Sequence, residues 1–152
     1  MTITAAGTLF YAKSTKRYLL VLRADGRHSN TWGLVGGKVE EGESVIFGLY
    51  REIFEEIGEP PIVRKTIPIE KFKSSSDSFE YYTFVSVVDK EFIPELNHEH
   101  KGYCWCDLSA LPKPLHPGVY TTLNISDIQS KLSTVSEITS LSNEALILDH
   151  TN

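Results

Sequence analysis

Between Ser44 and Gly58 the apolar residues Ile46, Leu49, Tyr50, Ile53, Phe54 and Ile57 recur at helical spacing. Ser44 is a fitting N-cap and Gly58 a fitting stop, and Pro60 and Pro61 forbid continuation. The period differs on both sides. "TITAAGTLFYA" and "RYLLVLRA" read as strands joined by a "KSTK" hairpin turn, and "RADGRHSNTWGLVGG" reads as loop. Beyond the helix, "PIVRKTIPIEKF" and "FEYYTFVSVVD" read as strands around the serine-rich turn "KSSSDS", with "GYCWCDL" as a further strand. "PKPLHPG" reads as loop and "VYTTLNISDIQSKLSTVSEI" as helix. Helices interleaved with strands in this way predict an α/β protein, a mixed β-sheet between helices in an α/β/α sandwich.

The 152 residues suit one domain spanning 1–152 with a substantial core. No run approaches the roughly 18 apolar residues of a membrane span, and the N-terminus lacks the pattern of a signal peptide, so a cytoplasmic protein without membrane contact is expected. A net charge of −5 argues against general nucleic-acid binding, which draws on clustered Lys and Arg, but leaves room for a small anionic ligand. Cys104 and Cys106 flank Trp105 without a second pair to complete a zinc site, and read as ordinary reduced cysteines. The last dozen residues read either as a frayed end or as a homodimer contact.

The helix carries an unusual acidic load. Glu52, Glu55 and Glu56 share one stripe at i, i+3 and i+4, where like charges repel by a few tenths of a kcal/mol per pair, about 0.2–0.5. With the apolar set covering the core side, the acids are expected on an exposed or cleft-facing surface. Gly36 and Gly37 leave room close to the main chain, and Arg51 is placed to reach back to Glu43 near the helix start. Three carboxylates on one stripe suit a hard divalent cation such as magnesium, which takes oxygen ligands and bridges to phosphates. A solvated helix face is the competing interpretation.

Gly37, Glu43, Arg51, Glu52, Ile53, Glu55, Glu56 and Gly58 fall at the spacing of the Nudix box, which this stretch closely resembles. Only the last position departs, with Glu59 in place of an apolar residue; before the box, Val35 replaces a frequent proline in "LVGG". The resemblance implies the Nudix sandwich and divalent metal, Mg2+ or Mn2+, on Glu52, Glu55 and Glu56 with the carbonyl of Gly37 as a further ligand. Glu43 and Arg51 become the structural pair. The implied reaction is hydrolysis of the pyrophosphate bond of a nucleoside diphosphate derivative, such as ADP-ribose or a dinucleoside polyphosphate, by water attack at phosphorus. A nucleoside triphosphate pyrophosphohydrolase is an alternative, and a Nudix-fold nucleotide sensor is the non-enzymatic one.

Glu55 and Glu56 are the expected catalytic acids of the helix. Family members often add an acid from a distant loop, and Glu99 in "LNHEHKGYCWCDL" is the favoured candidate as ligand or base, ahead of Glu95 and Glu91. His100, Tyr103 and Trp105 resemble the GDP-mannose mannosyl hydrolase branch, where a histidine in this region serves as base, so His100 is the second candidate. His98 and His100 as a zinc pair are less favoured than two solvated histidines. Arg23, Arg27 and Lys38 are candidates to meet phosphates, and Tyr103 to meet substrate. Trp32, Tyr81, Tyr82 and Phe84 offer rings for stacking on a base, a contact worth about 1–3 kcal/mol, or for the core. His116 in "PLHPG" is assigned to a stiff turn in preference to a pocket rim. "GLVGGK" fails as a phosphate-binding P-loop, since Trp32 stands at the first glycine and Val39 at the magnesium-binding hydroxyl.

Overall fold

The computed structural model describes residues 2–151, with side-chain surroundings described for 2–141. In chain order the elements are β1 (Ile3–Ala12), β2 (Arg17–Arg23), β3 (Trp32–Gly33), β4 (Val35–Lys38) and α1 (Val45–Ile57). There follow β5 (Lys65–Lys73), β6 (Phe79–Val88), β7 (His100–Cys106), α2 (Pro117–Leu123) and α3 (Ser126–Thr151). Ser44 caps α1 by accepting from the Phe47 N–H at 3.1 Å, and the Gly58 N–H closes the helix on the Phe54 carbonyl. Both ends lie where the sequence predicts them.

One mixed sheet holds the strands. β1 pairs in parallel with β6 along its length, and β5 adds antiparallel to β6. β1 and β2 pair only from Phe10–Ala12 to Arg17–Leu19. Beyond that the sheet forks: β4 takes the open edge of β1, β3 takes that of β2, and β7 covers the outer edge of β2. β3 and β4 correct the expectation of a loop from Arg23 to Gly37. They are two and four residues long, too short and glycine-rich for strand periodicity, and their pairing partners are distant in sequence.

Alternation along β1 divides the interior into two layers. Ala6, Phe10 and Ala12 pack with Leu19, Val21, Phe84, Trp105 and with Leu49, Ile53 and Ile57 of α1. Leu9 and Tyr11 pack on the other face with Leu20, Ile69, Val85, Val119, Leu123, Ile128 and Leu132, under α2 and α3. The α/β/α sandwich is therefore as expected. The helix expected over 119–138 is broken, however, at Asn124 and Ile125. Asn124 ends α2 as its C-cap, its side-chain amide donating to the Tyr120 carbonyl at 2.7 Å, and Asp127 in the first turn of α3 favours a new start. No helix of the described residues is long and apolar enough to cross a membrane. The frayed end or dimer contact expected for the last dozen residues concerns side chains outside the described ones, Leu141 excepted.

The apolar stripe of α1 needs a correction. Leu49, Ile53 and Ile57 are buried, but Ile46, Tyr50 and Phe54 are exposed, Phe54 by 63%. Only the i, i+4, i+8 row meets the sheet, so the helix is rotated away from the centre of its apolar set. That rotation brings Glu56 inward.

Candidate active site

β4 runs against β1 with Gly36 opposite Gly7 and Gly37 opposite Ala6. A Cβ on Gly36 would collide with the Ala6 carbonyl oxygen, and one on Gly37 would stand 2.6 Å from the Glu52 carboxylate. Gly36 thus lets β4 lie close against β1, and Gly37 lets α1 lie directly over β4. Arg51 fixes this arrangement. Its Nε and Nη2 donate to the two carboxylate oxygens of Glu43 at 2.7 and 2.9 Å, and Nη2 also donates to the Lys38 carbonyl at 2.9 Å. Nη1 faces Glu52 at 3.1 Å and Glu55 at 3.3 Å. Glu43 in turn accepts from the Glu40 N–H at 2.7 Å. The expected clamp between loop and helix is in place, and the Arg51 guanidinium beside it holds the Glu43 carboxyl below its ordinary range.

The acids of the stripe differ in surroundings. Glu55 is half exposed, whereas Glu52 retains 14% side-chain exposure and Glu56 is only 2% exposed. Burial of Glu56 corrects the expectation that all three face solvent or cleft. Its Oε1 accepts from the Gly36 N–H at 2.8 Å. Burial pushes its carboxyl up to about 9; that hydrogen bond opposes the shift, while Glu99 and Glu52 add to it. Glu52 is also raised, chiefly by burial and against the pull of Arg51.

Glu99 is drawn in from the segment before β7. The Glu95 and Asn97 N–H groups donate to the Ile57 and Glu56 carbonyls, fastening this segment to the end of α1. Asn97 Oδ1 accepts from the Glu99 N–H at 3.0 Å, and the Ala24 N–H donates to the Glu99 carbonyl. Glu99 is the loop acid whose charge acts on both Glu52 and Glu56. Glu95 packs against Gly58 instead, and Glu91 is bound to Arg17 at 2.7 Å. His100 is buried, 6% exposed, with Nδ1 lacking a hydrogen-bond partner, and burial lowers its pKa. His98 is exposed, so the two histidines sit in opposite environments.

Among the described residues no three His, Cys, Asp or Glu side chains stand ready to coordinate an ion. The reason is visible: Glu52 and Glu55 are turned to Arg51 and Glu56 to the Gly36 amide. The donor set still fits a hard divalent cation. It offers carboxylate oxygens and a backbone carbonyl, and a buried Glu56 with no cationic partner among the described residues is a group that such an ion would relieve.

Gly36 and Gly37 also line a cleft of about 640 Å³ on the α2 side of the sheet. Arg23 lines it too, with a buried Nε that has no hydrogen-bond partner among the described residues. Arg27 and Lys38 are exposed and off the cleft, and Tyr103 alternates with Cys104 to the Trp105 side, away from it. Of the four candidate rings, Tyr81 lines the cleft; Tyr82 and Phe84 pack on the α1 side and Trp32 against the opposite core. His116 does line the rim, and its Nδ1 also accepts from the Gly118 N–H at 3.0 Å. Phe72, Phe79, Glu70 and Thr122 also line the cleft, and no motif or spacing marks them in the chain. None of the four glutamates lines it; the glycine pair connects cleft and acids, and Tyr81, whose pKa is raised by burial and by nearby Glu56, lies at that junction.

A family model, the NUDIX domain, matches residues 1–124. Among solved structures, a MutT NUDIX hydrolase from Burkholderia pseudomallei is 23% identical with a TM-score of 0.63, over 81% of this chain and 96% of that one. The NUDIX domain of Shewanella oneidensis NrtR, in complex with ADP ribose, is 15% identical with a TM-score of 0.69, over 87% and 89%. A C. elegans Ap4A hydrolase in a binary complex is 18% identical with a TM-score of 0.61, over 91% and 98%. No curated protein matches the chain. These likenesses share the fold, and the domain match extends over the glycine pair, the Glu43–Arg51 clamp and the glutamates: the chain belongs to the Nudix hydrolase family.

Proposed function

We propose that this Nudix pyrophosphohydrolase cleaves a nucleoside diphosphate derivative by water attack at phosphorus, with Mg2+ or Mn2+ held by Glu52, Glu55, Glu56, Glu99 and the Gly37 carbonyl. The observation that carries this reading is the buried Glu56, with no cationic partner among the described residues, beside Glu52 and Glu99 and behind the glycine pair of the cleft. A bound divalent ion would neutralise the diphosphate and acidify a water. Arg23, with its free Nε, meets the phosphates from the cleft side. The Glu43–Arg51 clamp keeps β4 and α1 in register, so the phosphate end of the substrate and the carboxylates keep their distance.

Glu99 takes the proton from the attacking water at a carboxylate oxygen. The water oxygen bonds to phosphorus and the anhydride oxygen departs with its electron pair. Glu99 is exposed to solvent beside the helix acids, whereas the His100 ring is buried, which favours Glu99 as base. ADP-ribose and Ap4A, named with two of the similar structures, belong in the substrate panel beside their counterparts with other bases. Products identified by mass in oxygen-18 water, from a panel of nucleoside diphosphate derivatives with and without Mg2+, decide the matter. Label in a phosphate of the product supports the reading. No Mg2+-dependent turnover of any derivative, with nucleotide binding intact, would leave a sensor instead.

A further inference from the structure

Glu70 reaches the cleft through an irregularity of its strand. Pro68 pairs with Phe84 but Glu70 with Thr83, so Ile69 is an inserted residue in β5. In an uninterrupted strand Glu70 would point to the α1 face, opposite to Ile67 and Ile69. The bulge resets the alternation, and Glu70 and Phe72 turn to the face of Thr83 and Tyr81, into the cleft. There Thr122 of α2 donates to Glu70 Oε1 at 2.7 Å and holds the carboxylate in place. Among the described residues no Lys or Arg forms an ion pair with Glu70. A fixed acceptor with no ion-pair partner among the described residues, flanked by Phe72 and Phe79, suits the N–H donors of a planar ligand.

Arg23 on β2 and Glu70 on β5 line the cleft from opposite sides of β1 and β6. With the diphosphate at the Arg23 and glycine end, the base reaches the Glu70 end. We propose that Glu70, held by Thr122, is a specificity-determining residue that selects guanine. Guanine is the common base with two adjacent donors, N1–H and the 2-amino group. Adenine and cytosine set an acceptor beside their amine, and uracil flanks its N–H with two carbonyls, so each meets the carboxylate with repulsion. The proposal rests on the proposed function only for the direction in which the nucleotide lies in the cleft.

Calorimetric titration with the hydrolysis-resistant α,β-methylene analogues of GDP and ADP, in Mg2+, tests it apart from catalysis. The GDP analogue should bind about tenfold tighter or more, as for a paired base contact. Glu70→Gln should reduce that ratio to within about threefold while leaving the thermal midpoint in place. A wild-type ratio near one, or a ratio that survives Glu70→Gln, overturns the proposal. Should Glu70→Gln fail to fold, Thr122→Val, which frees the carboxylate, must lower the ratio, and an unchanged ratio again overturns it. Discrimination without turnover of any derivative would remove the hydrolytic reading and leave base selection standing. Equal turnover of guanine and adenine derivatives, with equal binding, would do the reverse.

Discussion

Replacing Glu56 by Gln should change how stability depends on pH in the metal-free protein. In the folded chain the Glu56 carboxyl is raised from 4.5 to about 9, chiefly because it is buried. A raised folded pKa means that stability is fully present below about 4.5 and is lost as pH rises toward 9. Within that window the unfolded chain releases a proton that the folded chain keeps, and each pH unit costs about 1.4 kcal/mol. Over the whole window the loss is on the order of 6 kcal/mol, a ceiling that is comparable to the 5–15 kcal/mol of a typical domain. Glu52 shifts in the same direction and shares the titration, so the slope belongs to the cluster; Glu43 shifts downward and acts only in more acidic solution, while His100 and His116, lowered by burial from 6.5, add an opposite slope below about 6.5 in both proteins. The Gln side chain still offers an oxygen to the Gly36 N–H but does not titrate. Urea unfolding followed by circular dichroism, in EDTA between pH 5 and 9, should show wild-type stability falling by several kcal/mol and Glu56→Gln staying much flatter. Adding Mg2+ at pH 8 should stabilise wild type and not the variant. Parallel profiles for the two proteins would refute both the burial of a neutral Glu56 and its service as a cation ligand.

The two candidate bases separate by mutation. Glu99→Gln should lower kcat by about 10²-fold or more, within the range of general-base loss, and His100→Gln by far less, as read from initial rates on the best substrate of the panel; the opposite order would move the base to His100. Arg51→Lys keeps a charge but loses the fork that binds Glu43, Lys38 and Glu52 together. It should reduce kcat by about 10²-fold through misplacement of the carboxylates and lower the melting temperature, both measurable on one preparation; wild-type values for both would show that the clamp is idle.

The parts of the fold that follow local rules were legible in the chain. Ser44 and Gly58 bound α1 because capping depends on neighbours within a turn, and the long strands are visible because apolar residues with strand propensity persist over seven to ten positions. β3 and β4 were hidden because their identity comes from β2 and β1, which are far away in sequence. The site was legible as a set of residue types at fixed spacing, but not in its environments. That Glu56 is buried and Glu55 exposed depends on how far α1 turns on the sheet. Glu70 was out of reach for a sharper reason: one inserted residue reverses the facing of everything after it, and nothing in "TIPIEKF" marks which residue is inserted.

The rotation of α1 runs against the hydrophobic pattern twice. It leaves Phe47 and Phe54 each 63% exposed, forgoing much of the roughly 1.5–3 kcal/mol that burying each ring would contribute, and it places a carboxyl in the interior. A helix free to optimise its own packing would turn the other way. Three contacts oppose that turn: Arg51 to Glu43 and Lys38, the Glu56 carboxylate to the Gly36 amide, and the segment before β7 to the end of α1. All three tie the helix to β4 with its glycines, to the turn after it, or to the segment that bears Glu99, and none serves the core. A chain that uses its loop contacts to hold a carboxyl against burial is organised around what that carboxyl binds, which is where local rules are expected to fail in a functional protein.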